Sequence, residues 1–124
     1  MANPFVHVEL TTSDTGKAKS FYGALFDWKL DDVDIAPGFT YTMIRVGEGT
    51  GGGMMKTPAP DVPTAWLPYV LVDDVAAATA KAKSLGATVC KDVTEVMGAG
   101  SFSIIIDPAG AAIGLWQEKA KLTR

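Results

Sequence analysis

Two side chains near the start of the chain have the types and the spacing for chemistry. Phe5 to Thr12 reads as a strand, and residues two apart on a strand share one face. His7, Glu9 and Thr11 therefore look one way, while Val6, Val8 and Leu10 look toward an apolar partner. Glu9, on a face with apolar neighbours, is a candidate general base for a proton next to a carbonyl. Its plainer use is an ion pair with Arg45, or contact with a ligand. His7 is a donor lining a ligand site or, more plainly, a packed or surface histidine. Cys90 is the lone cysteine, so no internal disulfide is possible. It lies in the strand-like ATVCKDV, far in sequence from the only histidine. It reads as a small buried or half-buried residue and not as a nucleophile. Gly47 to Gly53 is rich in glycine but has no Gly-Lys-Ser/Thr ending and opens no helix, so it is not a phosphate loop. It is better read as flexible backbone near a hairpin or a ligand.

The elements that must position these residues follow in order. Ser13 or Asp14 caps a helix whose Ala18, Phe21, Tyr22, Leu25 and Phe26 form an apolar stripe, expected to lie on the Val6/Val8/Leu10 face. Trp28 to Val33 is a candidate strand, and Asp31, Asp32, Ala36, Pro37 and Gly38 read as turn material. Phe39 to Val46 is a clearer strand, in which Tyr41, Met43 and Arg45 alternate with Thr42, Ile44 and Val46. A short strand ends near Lys56. Residues 58–65 form a proline-rich linker. Then the pattern restarts. Trp66 to Val72 is a strand, and Asp73 or Asp74 caps a helix carrying Val75, Ala78, Ala82 and Leu85, which Gly86 stops. Ala87 to Val93, Phe102 to Ile106 and Ala111 to Gln117 are strands, the last two joined by the turn Asp107-Pro108-Ala109-Gly110. The tail from Glu118 to Arg124 is charged and expected to be solvated.

This is an internal repeat. Asp14, Ala18 and Leu25 match Asp74, Ala78 and Leu85 at an offset of about 60. One residue further out of step, Tyr41, Gly49 and Gly53 match Phe102, Gly110 and Gly114. Each half reads strand, helix, strand, strand, strand. A lone half has too little core to be stable, so the halves should join into one domain over residues 1–124, with modules at about 4–57 and 66–118.

The order of elements, the -Thr-Ser-Asp- after the first strand, Phe21-Tyr22 and Leu25-Phe26-Asp27-Trp28 in the helix, and Ile106-Asp107-Pro108-Ala109-Gly110 resemble the vicinal oxygen chelate superfamily. That group includes glyoxalase I, fosfomycin- and bleomycin-resistance proteins and extradiol dioxygenases. The resemblance covers Phe5 to Glu118. It implies an α+β fold of two βαβββ modules making a cupped mixed sheet with helices outside. It also implies a divalent metal held by cup-facing residues on the first and last strand of each module, binding two neighbouring oxygens of a substrate. Carried over, those four positions are His7, Gly53, Leu67 and Gly114. Only His7 is a ligand type, and a second subunit, in members that swap modules, would offer the same four positions again. No cofactor is therefore expected. The alternative is a divalent metal (Zn, Ni, Mn or Fe) held weakly by His7 and Glu9 with a water or a partner-chain residue. The resemblance, with strand alternation, puts His7, Glu9, Tyr41, Met43, Arg45, Met55, Tyr69, Phe102 and Trp116, together with Leu67 and Leu71, in the cup. A hollow rich in aromatic and Met side chains suits a flat or apolar ligand.

A net charge of −3 with scattered Lys and Arg speaks against nucleic acid. No apolar run approaches the length of a membrane span, and MANPFVHVEL has no basic region followed by an apolar run. The expectation is a cytoplasmic, homodimeric binder of an apolar or aromatic small molecule, by sequestration or with metal-free acid–base chemistry. The alternatives are a metal-dependent lyase or isomerase of the lactoylglutathione lyase type, and an interaction module with a filled cup.

Overall fold

The computed structural model describes residues 2–96 and 98–119. The part of the charged tail from Ala120 on lies outside the described residues. The elements are β1 (Phe5–Thr12), α1 (Thr15–Leu25), β2 (Lys29–Ala36), β3 (Phe39–Arg45), β4 (Gly52–Lys56), β5 (Ala65–Leu71), α2 (Val75–Ser84), β6 (Thr88–Val96), β7 (Gly100–Ile106) and β8 (Ala112–Glu118). This is α+β, with strand, helix, strand, strand, strand occurring twice. There are two compact units: His7–Leu67, called here the first unit, and the residues from Pro68 on together with those up to Val6, the second.

In the first unit the strands lie in the order β2-β3-β4-β1. β2/β3 and β3/β4 are antiparallel, and β4/β1 is parallel. Asp14 caps α1, its side chain accepting from the Lys17 N–H at 2.9 Å; this satisfies one of the donors that a helix start leaves without an internal partner. One sheet face carries Leu10, Ile44 and Met54 as a buried core, with Ala18, Tyr22, Trp28, Leu30 and Val46 packed on it. The expected helix stripe is only partly inside. Ala18 and Tyr22 reach the core, but Phe21 and Leu25 are 59% and 57% exposed, and Phe26 is exposed as well. Helical periodicity names a stripe, but what buries it is how much sheet lies beneath, and here the stripe outruns the core. Tyr22 instead gathers an aromatic cluster, with ring centroids 5.7 Å from Trp28 and 5.4 Å from Trp66.

The second unit repeats this plan as β5-β8-β7-β6. β5/β8 is parallel, and β8/β7 and β7/β6 are antiparallel. Asp74 caps α2 by accepting from the Ala77 N–H at 3.1 Å. Val75, Ile105 and Leu115 form the core. Thr79 of α2 and Ser103 of β7, both buried, share a hydrogen bond of 2.8 Å. The Asp107-Pro108-Ala109-Gly110 turn forms as read. Asp107 Oδ1 accepts from the N–H groups of Ala111, Ala109 and Gly110, and these bonds hold its carboxyl below the ordinary carboxylate value.

Two local readings are corrected. Asp31, Asp32 and Ala36, read as turn material, lie within β2, paired with Met43, Thr42 and Phe39. The polar aspartate side chains suit a turn, but Thr42 and Lys19 bind Asp32, and Arg45 binds Asp31, so neighbours satisfy them within the sheet. Cys90 is exposed. It sits in β6, at a register shift between Val89 and Lys91 that breaks simple alternation.

Candidate functional site

The face of the first unit's sheet opposite Leu10, Ile44 and Met54 carries the residues of interest. Glu9 of β1 and Met43 of β3 both pair with Gly53 of β4. Gly53 is thus flanked on both sides by strands that bear large side chains, while it bears none. Tyr41, two residues before Met43, uses that space. A Cβ built on Gly53 would fall 2.1–2.3 Å from Tyr41 Oη, Cε2 and Cζ. The ring therefore crosses β4 over a bare backbone, as only glycine permits. Its hydroxyl emerges on the far side, at β1.

There it joins the two residues singled out by strand alternation. Tyr41 Oη donates to Glu9 Oε2 at 2.8 Å, and His7 Nε2 lies 2.8 Å from the same Oη. A phenol has one hydrogen. With that hydrogen on Glu9, the Tyr41 oxygen accepts from His7, so the network assigns the imidazole hydrogen to Nε2. The result is a directed chain, His7 to Tyr41 to Glu9. The His7 and Tyr41 rings are also near-parallel, with an interplanar angle of 19°. Burial pushes the His7 pKa below its ordinary 6.5, while the nearby Glu9 charge works in the opposite direction. His7 is accordingly neutral at neutral pH, as the chain requires. All three residues are half-buried.

Of the other residues read from the sequence, Met43 and Met55 share this face, both half-buried. Arg45 does not join the chain. Its Nε donates to Asp31 Oδ2 at 2.7 Å, toward β2, and its side chain is 60% exposed. Glu9 has Tyr41 as the partner for which Arg45 was considered. Tyr69, Phe102 and Trp116 belong to the second unit. There Tyr69 pairs with Gly114 and Phe102 with Trp116 in the sheet. A Cβ on Gly114 would lie 2.3–2.7 Å from the Tyr69 ring, and Phe102 meets that ring edge-on, centroids 6.2 Å apart at 74°. Sequence reading put Tyr41 on the right face but did not foresee its span across Gly53. The signal was present: a tyrosine and a glycine on neighbouring strands, same face, one pair out of register.

The four positions where the resemblance places metal ligands can now be tested against these contacts. Gly53 and Gly114 offer no side chain, and tyrosine rings occupy the space where one would begin. Leu67 has no donor atom. His7 Nε2 is engaged with Tyr41. Among the described residues no group of three or more His, Cys, Asp or Glu is placed to hold a metal ion. The residues present do not fit the family's metal.

Fold and sequence together define the class. The model of the Glyoxalase/Bleomycin resistance protein/Dioxygenase superfamily matches residues 5–115, and the chain belongs to that superfamily. Among relatives, CFP32 of Mycobacterium tuberculosis (strain CDC 1551 / Oshkosh), which carries a provisional glyoxylase name, is 40% identical over 114 residues, covering 89% of this chain and 44% of its own length. The anthracycline biosynthesis protein DnrV of Streptomyces peucetius is 25% identical over 124 residues, covering 89% of this chain and 45% of its own. This chain thus spans less than half the length of these relatives. Among solved structures, hypothetical protein BH1468 of Bacillus halodurans C-125 superposes with a TM-score of 0.73 over 100% of both chains at 14% identity, a likeness of fold.

Proposed function

We propose that the protein binds a small apolar or aromatic molecule against the sheet face that carries Tyr41, without the family's metal. The observation that supports this most is Tyr41 lying across Gly53, since it replaces a ligand position with an aromatic surface ending in a hydrogen-bonded hydroxyl. Met43 and Met55 beside it are adaptable apolar contacts. The similarity to a protein named for anthracycline biosynthesis agrees with a flat aromatic ligand. Binding by sequestration, in a cytoplasmic homodimer, is the form we favour; Glu9 is then a ligand contact, and in a metal-free reaction it would be the base.

The test is thermal unfolding after chelator stripping, with and without Zn²⁺, Ni²⁺, Mn²⁺ or Fe²⁺. A metal at a hundred times its dissociation constant adds about 2.7 kcal/mol, a rise of several degrees for a domain of this size. We expect no such rise, and we expect one with aromatic compounds. The 40% identity to CFP32 favours a second reading, a metal-dependent lyase or isomerase of the glyoxalase type. A metal-induced rise that vanishes in His7→Ala would select it. No response to metal or to aromatic compounds would point instead to an interaction module.

A further inference from the structure

We infer that the ligand of this site is an aromatic acid whose carboxylate is held by Lys29 and Arg45, where β2 begins and β3 ends on the same sheet face. This rests on the proposed binding role and names the class of ligand for it. Residues directly opposite each other on neighbouring strands share a face. Asp31 is opposite Met43, and Val33 is opposite Tyr41. Arg45 is two residues beyond Met43 and so lies on that face as well. Lys29 is opposite Arg45. Two like charges set directly across a strand pair repel, and Asp31 offsets only one of them. Asp31 Oδ2 accepts from Arg45 Nε at 2.7 Å. That bond uses the inner N–H of the guanidinium. The two terminal amino groups form the outer edge of the fork, whose parallel N–H groups match a second carboxylate. The Arg45 side chain is 60% exposed, and Lys29 is exposed. Lys29, Arg45 and Asp31 together carry an excess of positive charge, in a chain whose net charge is −3. An anion is therefore attracted here against the field of the whole chain. Next to the cations the face turns apolar. Residues two apart on a strand are separated by about 7 Å, so a carboxylate on Arg45 sets its ring over Met43 and against Tyr41. Val33, opposite Tyr41 and 43% exposed, borders the ring.

The test uses three ring-matched probes with the whole chain: naphthalene, 2-naphthamide and 2-naphthoate, each titrated calorimetrically at neutral pH and low salt. The amide keeps the shape of the acid and removes its charge. At this exposed site the acid should bind about fivefold or more tighter than the amide. The advantage should shrink as salt is raised, because exposed charges are screened. A double variant, Lys29→Gln with Arg45→Gln, checked for folding by circular dichroism, should bind the amide as tightly as the acid or more so, since it leaves Asp31 without its cation. Equal binding of acid and amide by the natural protein, or tighter binding of the amide, overturns the inference and leaves the binding role standing. An advantage for the acid that persists at high salt, or in the double variant, overturns it as well, by moving the preference away from these two cations. Failure of all three probes to bind overturns both. The ratio and its salt dependence in the unmutated protein decide the matter even where the variant fails to fold.

Discussion

The two units set different side chains on one plan. Glu9 in the first occupies the position of Tyr69 in the second, each paired with the bare glycine of its unit's last strand. Tyr41 and Phe102 occupy equivalent places two residues before the partners of those glycines, Met43 and Ile104. In the first unit the result is a polar bridge, a phenol bonded to a carboxylate at 2.8 Å. In the second it is an apolar one, an aromatic pair at 74°. In both, a tyrosine ring lies where a side chain on the glycine would go. But that ring comes from the third strand of one unit and the first strand of the other. One backbone plan therefore supports two ways of filling the same space, one half-buried and polar, the other enclosed and aromatic. Tyr69 is 5% exposed and serves packing foremost.

This contrast can be broken at several points. Removing the buried ring should do most: Tyr69→Ala should cost about 3–5 kcal/mol in urea unfolding, by analogy with other buried aromatics, and Tyr41→Ala clearly less. Similar losses would mean that the two rings are equally structural. Adding a methyl group is expected to matter next. Gly114→Ala should destabilise by about 1–3 kcal/mol, because Tyr69 is enclosed. Gly53→Ala should cost less, since half-buried Tyr41 can swing aside, and it should weaken aromatic binding instead. A larger loss in Gly53→Ala would reverse the assignment of roles. Tyr41→Phe keeps the ring and removes the bridge, and should cost about 1 kcal/mol.

The smallest effect concerns pH. Burial depresses the His7 pKa, so between its folded value and 6.5 the unfolded chain binds more protons than the folded one. Stability should then be full above about pH 6.5 and fall as the pH drops through the folded value. Asp32 and Asp107 are also depressed, but from 3.8, so their contributions are lost only at lower pH. His7 is the only histidine, and His7→Gln should flatten the profile around pH 6. An unchanged slope there would show that the imidazole is not disfavoured in its charged form.

Much of this was legible in the chain. Asp14 and Asp74 were both read as possible caps, and both accept the backbone hydrogen of the third residue on. The alternation of His7 with Glu9, and of Tyr41 with Met43, follows from strand period alone, and the sheet pairings bear it out. So does the repeat, whose offsets of 60 and 61 match the registers Glu9 to Gly53 and Tyr69 to Gly114. These are local facts, set by φ/ψ period, capping chemistry and turn residues within a few positions. What needed the tertiary structure was anything set by a neighbouring strand or by the area beneath a helix. Arg45 went to Asp31 because β2 lies beside β3. Phe21 and Leu25 stayed outside because the sheet beneath α1 has too little apolar surface for the whole stripe. Tyr41 reached Glu9 because Gly53, twelve residues on, lies between their strands and carries no side chain. Sequence names the face on which a side chain lies; what it meets there depends on register and on the volume of the residue opposite.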